Sequence, residues 1–555
     1  MTASCNIAAT LPRMAAEAPD RVAIRCPGKR GANGLASYDV AMTYAELDAR
    51  SDAIAAGLKK TGIARGDRCV LMVRPSPEFF ALMFALFKAG IVPVLVDPGI
   101  DRRALKQCLA EAEPSAFIGI PLAQLARRLL GWARGRIRHS VTVGRRWCWG
   151  GPRLVDIEAL GANAGPQLQD TVPDDVAAIL FTSGSTGVPK GVLYRHRHFV
   201  AQIEMLGSAF GIDPGGVDLP TFPPFALFDP ALGLTSIIPD MDPTRPAKAD
   251  PRRLHDAIAR FGVTQLFGSP ALVAVLARHG KPLPGVRRVL SAGAPVPSDV
   301  VARMRELLPE NGEIWTPYGA TECLPVAVIE GRELQQTRAA TDAGAGTCVG
   351  RPVLPNEVRI IAIDDRPISE WSDDLLAAAG MVGEITVVGP TATDTYFNRD
   401  AATAVAKIPE RLADGSERVV HRMGDVGYFD ELGRLWFCGR KSQRVETALG
   451  ALYTEQVEPV FNTHLEVRRT ALVGLRINGE VEPLLCVELN VGVASSRWPS
   501  IETALRELAQ AHPHCAAVQR FLRHPGFPVD IRHNAKIGRE QLARWAAKQL
   551  ERVPT

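Results

Sequence analysis

The sequence is poor in cysteine, and its cysteines are scattered. Only 10 of the 555 residues are cysteine, and no two of them lie within four residues of each other. Disulfide scaffolds and zinc ribbons need denser or closely paired cysteines. The spacing therefore excludes both classes and favours a reducing compartment, so we expect a cytoplasmic protein.

Long apolar runs and an excess of one charge are absent as well. The longest apolar stretch, Phe79 to Phe87, ends at Lys88 and is too short to span a bilayer. The N-terminus has no basic stretch followed by an apolar core, so no secretory signal is predicted. The 64 basic and 60 acidic groups are too balanced to indicate an anionic polymer as partner. We expect a soluble protein that has no integral membrane segment and does not bind nucleic acid.

The chain has the composition and rhythm of a large globular α/β protein. Its hydrophobic fraction is 46% and its charged fraction 22%, values typical of packed domains. Apolar residues at helical spacing over 44–61 and up to Phe87 alternate with strand-like runs at 68–73 and 91–96. This alternation indicates parallel sheets covered by helices.

The pattern changes further along the chain. Strands punctuated by glycine between 358 and 388 predict a β-rich subdomain. From residue 439 onward a shorter mixed pattern ends in a helix predicted over 539–551. We therefore predict an α/β fold with a large domain over 1–440, built of helix-covered sheets and the β-rich subdomain, and a small α+β domain over 441–555.

The strongest motif is a loop rich in Gly, Ser and Thr, FTSGSTGVPKG, over 181–191. It follows a strand-like run and precedes a helix predicted through Leu206. Glycines let backbone N–H groups approach an anion, hydroxyls donate hydrogen bonds, and Lys190 adds a charge. Because Gly191 follows this lysine, the loop is not a Walker motif, but it fits a polyphosphate. The expected phosphate contacts are Thr182, Ser183, Gly184, Ser185, Thr186, Gly187 and Lys190.

Further motifs follow this loop in order. They are SAGAP at 291–295, YGATE at 318–322, RMGDVGYFD around Asp425, FCGRKSQRVE around Arg440 and HNAKIGRE around Lys536. With these motifs in this order, nearly the whole chain resembles the adenylate-forming enzymes, the family of acyl-CoA synthetases, luciferases and peptide-synthetase adenylation domains.

The resemblance implies ATP and Mg²⁺ and a role for each motif. The implied nucleotide contacts are Gly293 and Ala294 at the adenine pocket, Tyr318 stacked on adenine, Gly319 and Thr321 near the phosphate, and Asp425 and Arg440 at the ribose. The implied catalytic residues are Lys536, Glu322 and Thr182, with Glu322 as the metal ligand. A substrate carboxylate would attack the α-phosphate, and the small, mobile C-terminal domain would rotate about a hinge at Lys441.

Two hypotheses differ in the group that accepts the acyl group from the adenylate. Thioester-forming relatives often carry a lysine where this chain has Glu446, and many relatives show an aromatic residue followed by His where it has Pro223-Pro224-Phe225-Ala226. The segments at 221–230 and 237–254 most resemble the β-lactone synthetases of bacterial long-chain olefin biosynthesis. That resemblance implies a long-chain 2-alkyl-3-hydroxy acid as substrate and other olefin-biosynthesis enzymes as partners. The alternative is a long-chain acyl-CoA or acyl-carrier-protein ligase.

The phenylalanines and the aspartate of the segment 221–230 each allow two interpretations. Phe222, Phe225 and Phe228 line an acyl tunnel or belong to an ordinary core. Asp229 is a candidate base for the 3-hydroxyl, but the following Pro230 favours a helix N-cap at Asp229.

The histidines at 196 and 198 and the basic segment 127–153 do not indicate a more specific function. His196 and His198 have a spacing that suits no metal pair, so we expect them on a helix surface or a pocket wall. The segment 127–153 combines eight arginines with three tryptophans. A solvated basic face is the favoured interpretation, with contact to a membrane surface as the alternative.

Overall fold

The computed structural model describes residues 5–97, 99–182, 189–477, 479–529 and 537–551. The β-strands are β1 Val22–Cys26, β2 Val40–Thr43, β3 Arg68–Met72, β4 Val92–Val96, β5 Ala116–Gly119, β6 His139–Thr142, β7 Val176–Thr182, β8 Lys190–Arg195, β9 Val217–Pro220, β10 Thr235–Ile237, β11 Gln265–Gly268, β12 Arg288–Ser291, β13 Glu313–Ala320, β14 Cys323–Glu330, β15 Thr347–Pro352, β16 Glu357–Ile361, β17 Gly383–Val388, β18 Lys407–Arg411, β19 Glu417–Phe429, β20 Leu435–Arg440, β21 Val445–Thr447, β22 Gly450–Leu452, β23 Val467–Ile477, β24 Glu480–Leu489 and β25 Arg520–Arg523. The α-helices are α1 Thr10–Glu17, α2 Tyr44–Lys60, α3 Pro77–Ala89, α4 Arg102–Glu111, α5 Pro121–Leu130, α6 Leu154–Gly161, α7 His196–Phe210, α8 Pro251–Phe261, α9 Pro270–His279, α10 Ser298–Leu307, α11 Gly331–Gln336, α12 Arg338–Asp342, α13 Asp400–Ala406, α14 Thr454–Asn462, α15 Trp498–Ala511 and α16 Arg539–Leu550.

The first sheet has the strand order β6-β5-β3-β4-β7-β8. Its neighbours pair in parallel except β8, which runs antiparallel to β7 at one edge. Parallel strands joined by helices confirm the α/β class.

The second sheet combines both modes of pairing, in the order β16-β17-β19-β20-β15-β14-β13-β12-β11-β9-β10-β1-β2, with β18 on β19. Strands β13, β12, β11, β9, β10 and β1 pair in parallel. Strands β14 to β20 pair antiparallel and form the predicted β-rich subdomain.

The C-terminal part has its own sheet, β23-β24-β25, and its own apolar clusters. Val457, Phe461 and Leu505 are buried in one cluster, and Leu542 and Ala546 in another. This agrees with a small α+β unit after β20, while the predicted division at residue 440 stays a prediction.

Helices α2 and α3 show how local sequence fixes the packing. Thr43 and Glu46 form a capping box at the start of α2, with hydrogen bonds of 3.2 and 2.8 Å. Every residue of helix α3 except Glu78 is buried, as expected for a helix surrounded by protein. Its buried Lys88 donates to the carboxylates of Asp48 and Asp52 at 2.7 Å each, so the charge is paired.

His196 and His198 begin α7, but both are buried, so the surface expectation is wrong. Nδ1 of His196 accepts a hydrogen bond from the backbone N–H of Ile7, and Nδ1 of His198 accepts one from the N–H of Arg195. Burial lowers the pKa of His196 to about 4 and that of His198 to about 3, so both are neutral acceptors. Within the described ranges, no group of three or more His, Cys, Asp or Glu side chains is arranged to hold a metal ion.

The basic aromatic segment 127–153 is divided between core and surface. Trp132 and Trp149 are buried, and the indole N–H of Trp149 donates to Thr142 Oγ1 at 2.9 Å. Trp147 is 54% exposed. None of the helices in the described part of the chain combines the length and apolarity needed to cross a bilayer.

Candidate active site

The Gly-rich motif lies between two antiparallel strands. Strand β7 ends at Thr182 and β8 begins at Lys190, and these two residues are register partners. The predicted contacts Ser183, Gly184, Ser185, Thr186 and Gly187, and the side chain of Thr182, lie outside the described residues. The helix predicted through Leu206 is α7, which begins at His196, and strand β8, which was not predicted, lies between it and the loop.

The segment 391–397 packs beside the outgoing strand of this hairpin. The N–H of Phe397 donates to the carbonyl of Gly191 at 2.8 Å, and Val192 forms a bridge with Tyr396. The exposed Lys190 places its ammonium 4.8 Å from the centroid of the Tyr396 ring, within cation–π range. The hairpin is thus joined to the β-rich part of the site.

Glu322 lies in the turn between β13 and β14, and its carboxylate is oriented by Tyr396. The hydroxyl of Tyr396 donates to Glu322 Oε1 at 2.7 Å. The backbone of Glu322 is held too, since its carbonyl accepts from the N–H and hydroxyl of Thr393. In the same turn, the carbonyl of Thr321 accepts a hydrogen bond from the hydroxyl of Tyr194. A Cβ on Gly319 would lie 2.8 Å from the carbonyl oxygen of Cys323, so only glycine fits this close turn.

Asp425, Arg440 and Tyr318 meet across three strands. The hydroxyl of Tyr318 donates to Asp425 Oδ2 at 2.7 Å, and Arg440 Nη1 lies 2.9 Å from Asp425 Oδ1. Asp425 and Arg440 are register partners on β19 and β20. Burial raises the pKa of Asp425, and the nearby carboxylate raises the pKa of Arg440. Three predicted nucleotide contacts are therefore brought together.

Gly293 and Ala294 follow the carboxyl end of β12, beside the strand that carries Tyr318. Strands β12 and β13 are parallel neighbours, so their carboxyl ends share one edge of the sheet. Open α/β sheets bind ligands at such edges. Gly293 has a φ of +100°, a conformation that favours glycine.

Lys407 is a charged neighbour of this site that the motifs do not indicate. Its buried ammonium donates to the carbonyl and, at 3.3 Å, to the hydroxyl of Thr393. Burial lowers the pKa of Lys407 to about 8, although the charge of Glu322 acts in the opposite direction. Lysine is scarce, with 12 residues against 52 arginines, but this scarcity does not single out Lys407, which begins β18 rather than lying in a Gly-rich loop.

An apolar pocket opens beside these motifs. Its lining residues are Leu206, Phe210, Ile212, Asp218, Phe225, Phe228, Asp229, Leu232, Gln265, Phe267, Leu290, Ala292, Pro317 and Leu324. Ala292 directly precedes Gly293, and Pro317 directly precedes Tyr318, so the pocket borders the candidate nucleotide contacts.

Phe225 and Phe228 line this pocket, as one interpretation of the three phenylalanines requires. Phe222 does not line it but packs against Phe225, with ring centroids 5.5 Å apart. The N-cap interpretation of Asp229 is wrong: the residues after it form a turn and then β10, and the side chain of Asp229 is buried in the pocket wall. The position of Asp229 is therefore set by its tertiary contacts and not by the local Asp-Pro pattern that is typical of a helix start.

Lys441 is attached to the β-rich subdomain. Its ammonium donates to the carbonyl of Asp364 at 2.8 Å and lies 3.0 Å from the carboxylate of Glu384. Arg444 pairs with Asp365 at 2.6 Å and with Glu446 at 2.8 Å. The segment after β20 is therefore fastened in this arrangement, and its role as a hinge stays a prediction.

Lys536 lies outside the described residues. The chain is described again from Ile537, and Arg539 at the start of α16 pairs with Glu458 of α14. The Nε of Arg539 also donates to Gln443 at 3.1 Å. The described end of this segment is thus linked to the turn that follows Lys441.

Comparison with known proteins gives matches over most or all of the chain. The family described as "AMP-binding enzyme" matches residues 11–397. The chain is 74% identical over 549 residues to an "Olefin beta-lactone synthetase" of Xanthomonas campestris pv. campestris, covering 99% of both chains. It is 71% identical to a protein of the same name from Stenotrophomonas maltophilia, covering 100% of both.

Solved structures share the fold at lower identity. An amide bond synthetase, McbA from Marinactinospora thermotolerans, matches with a TM-score of 0.77 at 23% identity, over 97% of this chain and 99% of that one. The O-succinylbenzoate coenzyme A synthetase MenE from Bacillus subtilis, in complex with AMP, matches with a TM-score of 0.73 at 20% identity, over 96% and 97% of the two chains.

Proposed function

The chain belongs to the AMP-binding enzyme family, and from that premise we propose that it closes a long-chain 2-alkyl-3-hydroxy acid into a β-lactone. As a member of this family it is an ATP-dependent, adenylate-forming ligase. The observation that carries the proposal is the full-length identity of 74% and 71% to two olefin beta-lactone synthetases.

In the proposed first step, the substrate carboxylate attacks the α-phosphate of ATP and pyrophosphate leaves. Two anions must meet in line, so the protein acts mainly through positioning and charge neutralisation. Tyr318, Asp425 and Arg440 would hold the adenosine, while Lys190 and the Gly-rich loop would hold the phosphates. Lys536 would approach the reacting carboxylate.

Glu322 suits a divalent cation held jointly with ATP. Carboxylate oxygens are the hard ligands that Mg²⁺ prefers, and Mg²⁺ is commonly bound by one or two carboxylates plus substrate phosphates. The hydrogen bond from Tyr396 orients one oxygen of Glu322 and leaves the carboxylate able to share a cation with a phosphate. When bound, the ion neutralises phosphate charge.

In the proposed second step, the 3-hydroxyl of the bound acyl adenylate attacks its own activated carbonyl. The nucleophile is tethered to the carbon it attacks, so no second substrate has to bind. The apolar pocket between Phe225, Phe228 and Leu324 would take the alkyl chain. Because two full-length relatives are olefin beta-lactone synthetases, we infer that this reaction belongs to olefin formation, with other enzymes supplying the hydroxy acid and consuming the lactone in the cytoplasm.

Product analysis without CoA tests the proposal. Given ATP, Mg²⁺ and a long-chain 2-alkyl-3-hydroxy acid, the protein should release AMP, pyrophosphate and a β-lactone in equal amounts. The lactone is measured by mass spectrometry and by its carbonyl signal in NMR, and pyrophosphate by a coupled assay.

The matched control is the same acid without the 3-hydroxyl. It should form a bound adenylate that stalls, because the nucleophile is absent while the nucleotide contacts are intact. Rapid conversion of this acid to a thioester on addition of CoA, with no lactone from the hydroxy acid, would instead establish the acyl-CoA ligase.

The hinge role of Lys441 predicts a specific effect of proline. Arg440 has φ −75° and ψ 134°, the extended backbone that a following proline requires, and residues 441–443 form a 3₁₀ turn. Lys441→Pro should therefore favour the arrangement described here and hinder rotation of the C-terminal unit. We expect overall turnover to fall about tenfold, while the half-reaction that uses this arrangement keeps its rate.

Lys441→Ala is the control, since it removes the contacts with Glu384 and Asp364 but leaves the backbone free. Single-turnover measurements of adenylation and lactone release separate the two half-reactions. Equal turnover in the proline and alanine variants would show that the pivot lies elsewhere.

A further inference from the structure

Ring closure requires a group that accepts the proton of the 3-hydroxyl, and the acyl pocket contains two buried carboxyl groups. Asp218 is on β9 and Asp229 lies before β10, and both line the pocket. They are 2% and 3% exposed. The other lining residues are apolar, apart from Gln265, and none of them can take up a proton at neutral pH.

The two carboxyl groups interact with each other. Ser236, the register partner of Asp218 on the neighbouring strand, donates a hydrogen bond to Asp229, so the two carboxyl groups lie on one part of the pocket wall and their charges interact. Burial raises the pKa of both carboxyl groups, and the charge of Asp229 raises the pKa of Asp218 further. Two buried carboxyl groups whose charges repel each other favour a state in which only one of them is ionised.

The neighbours of the pair hold it in place without neutralising it. Oδ2 of Asp229 accepts a hydrogen bond from the buried hydroxyl of Ser236. Oδ1 of Asp218 is buried and, among the described residues, receives no hydrogen bond from any N–H or O–H group. This oxygen has the capacity to accept a donor that the substrate brings.

The pair also lines the pocket that is proposed to take the acyl chain. The same pocket is bordered by Ala292, Pro317 and Leu324, which adjoin the candidate adenine and phosphate contacts. An acyl group bound as proposed, with its carboxylate at the nucleotide, would place its first carbons, which carry the 3-hydroxyl, in this pocket.

We propose that the Asp218–Asp229 pair is the general base that accepts the proton of the 3-hydroxyl during ring closure. This inference rests on the proposed β-lactone synthesis. The hydroxyl oxygen forms a bond to the carbonyl carbon, the bond from that carbon to the phosphate oxygen breaks, and AMP leaves with the electron pair. The proton passes to the ionised carboxylate, which leaves both groups neutral until the proton returns to solvent.

The test compares Asp218→Asn and Asp229→Asn with the wild-type enzyme in both half-reactions. Asparagine keeps the size of the side chain but cannot accept the proton. A positioned general base contributes about 10²–10⁴-fold, so lactone release should fall at least about 100-fold more than adenylate formation. In single turnover, the acyl adenylate of the hydroxy acid should accumulate on the variants.

The acid without the 3-hydroxyl controls for folding, because a correctly folded variant should still adenylate it. Asp48→Asn controls for loss of a paired, partly buried carboxylate elsewhere, since Asp48 pairs with Lys88 outside the pocket. Lactone release by the pocket variants at the wild-type rate would overturn the inference, as would equal losses in both half-reactions. A wild-type enzyme that makes no lactone would overturn the proposed function itself.

Discussion

Replacing Lys536 with alanine is expected to lower adenylate formation by about 10²–10³-fold. The step brings a substrate carboxylate against the α-phosphate, so one positioned ammonium relieves repulsion and stabilises the charge that develops. Binding of ATP should change little, because the ribose contact at Asp425 and the Gly-rich loop are unaltered. The measurement is pyrophosphate–ATP exchange with the hydroxy acid, together with equilibrium binding of ATP.

Lys548→Ala is the matched control for this variant. Lys548 is exposed on α16, in the same C-terminal part of the chain, and has no proposed role at the nucleotide. Its loss should leave exchange at the wild-type rate. Exchange close to the wild-type rate in Lys536→Ala would remove this lysine from the proposed mechanism, whatever the control shows.

The elements of the fold were largely predictable because their signals are local. The expected helix over 44–61 is α2 at Tyr44–Lys60, and the strand over 68–73 is β3 at Arg68–Met72. Apolar periodicity and capping depend on residues a few positions apart, which the sequence displays directly. The hairpin strand β8 was missed because a short apolar run before a helix cannot be told from the first turn of that helix.

The site was predictable only where it consists of motifs. Asp425, Arg440 and Tyr318 follow from the resemblance and are found in contact. Tyr396 orients Glu322 but lies 74 positions from it in the sequence, so no local pattern predicts that contact. The pairing of Asp218 with Asp229 likewise depends on β9 and β10 being parallel neighbours, which the sequence does not specify.

Replacing Glu384 with alanine should destabilise the large domain by about 3–5 kcal/mol, the usual result of leaving a buried charge without its partner. Glu384 lies on β17, and its carboxylate is 2.6 Å from the guanidinium of Arg422 and 3.0 Å from the ammonium of Lys441. The side chains of Glu384 and Arg422 are each only 1% exposed. The guanidinium would keep its hydrogen bonds to backbone carbonyls but lose its counter-charge. Urea unfolding followed by tryptophan fluorescence measures the change.

Two further variants distinguish the effect of burial from the effect of charge at Glu384 and Arg422. Glu417→Ala removes an ion pair with Arg411 in which both side chains are more than 60% exposed, so it should leave the unfolding midpoint unchanged. Glu384→Ala/Arg422→Met should recover part of the stability that Glu384→Ala loses, because the unpaired charge is removed with its partner. Since Glu384 also holds Lys441, the single variant should expose the segment 441–446 to proteolysis before the sheet unfolds. A midpoint for Glu384→Ala equal to that of Glu417→Ala would contradict the argument, because burial would then make no difference to the cost of losing the carboxylate.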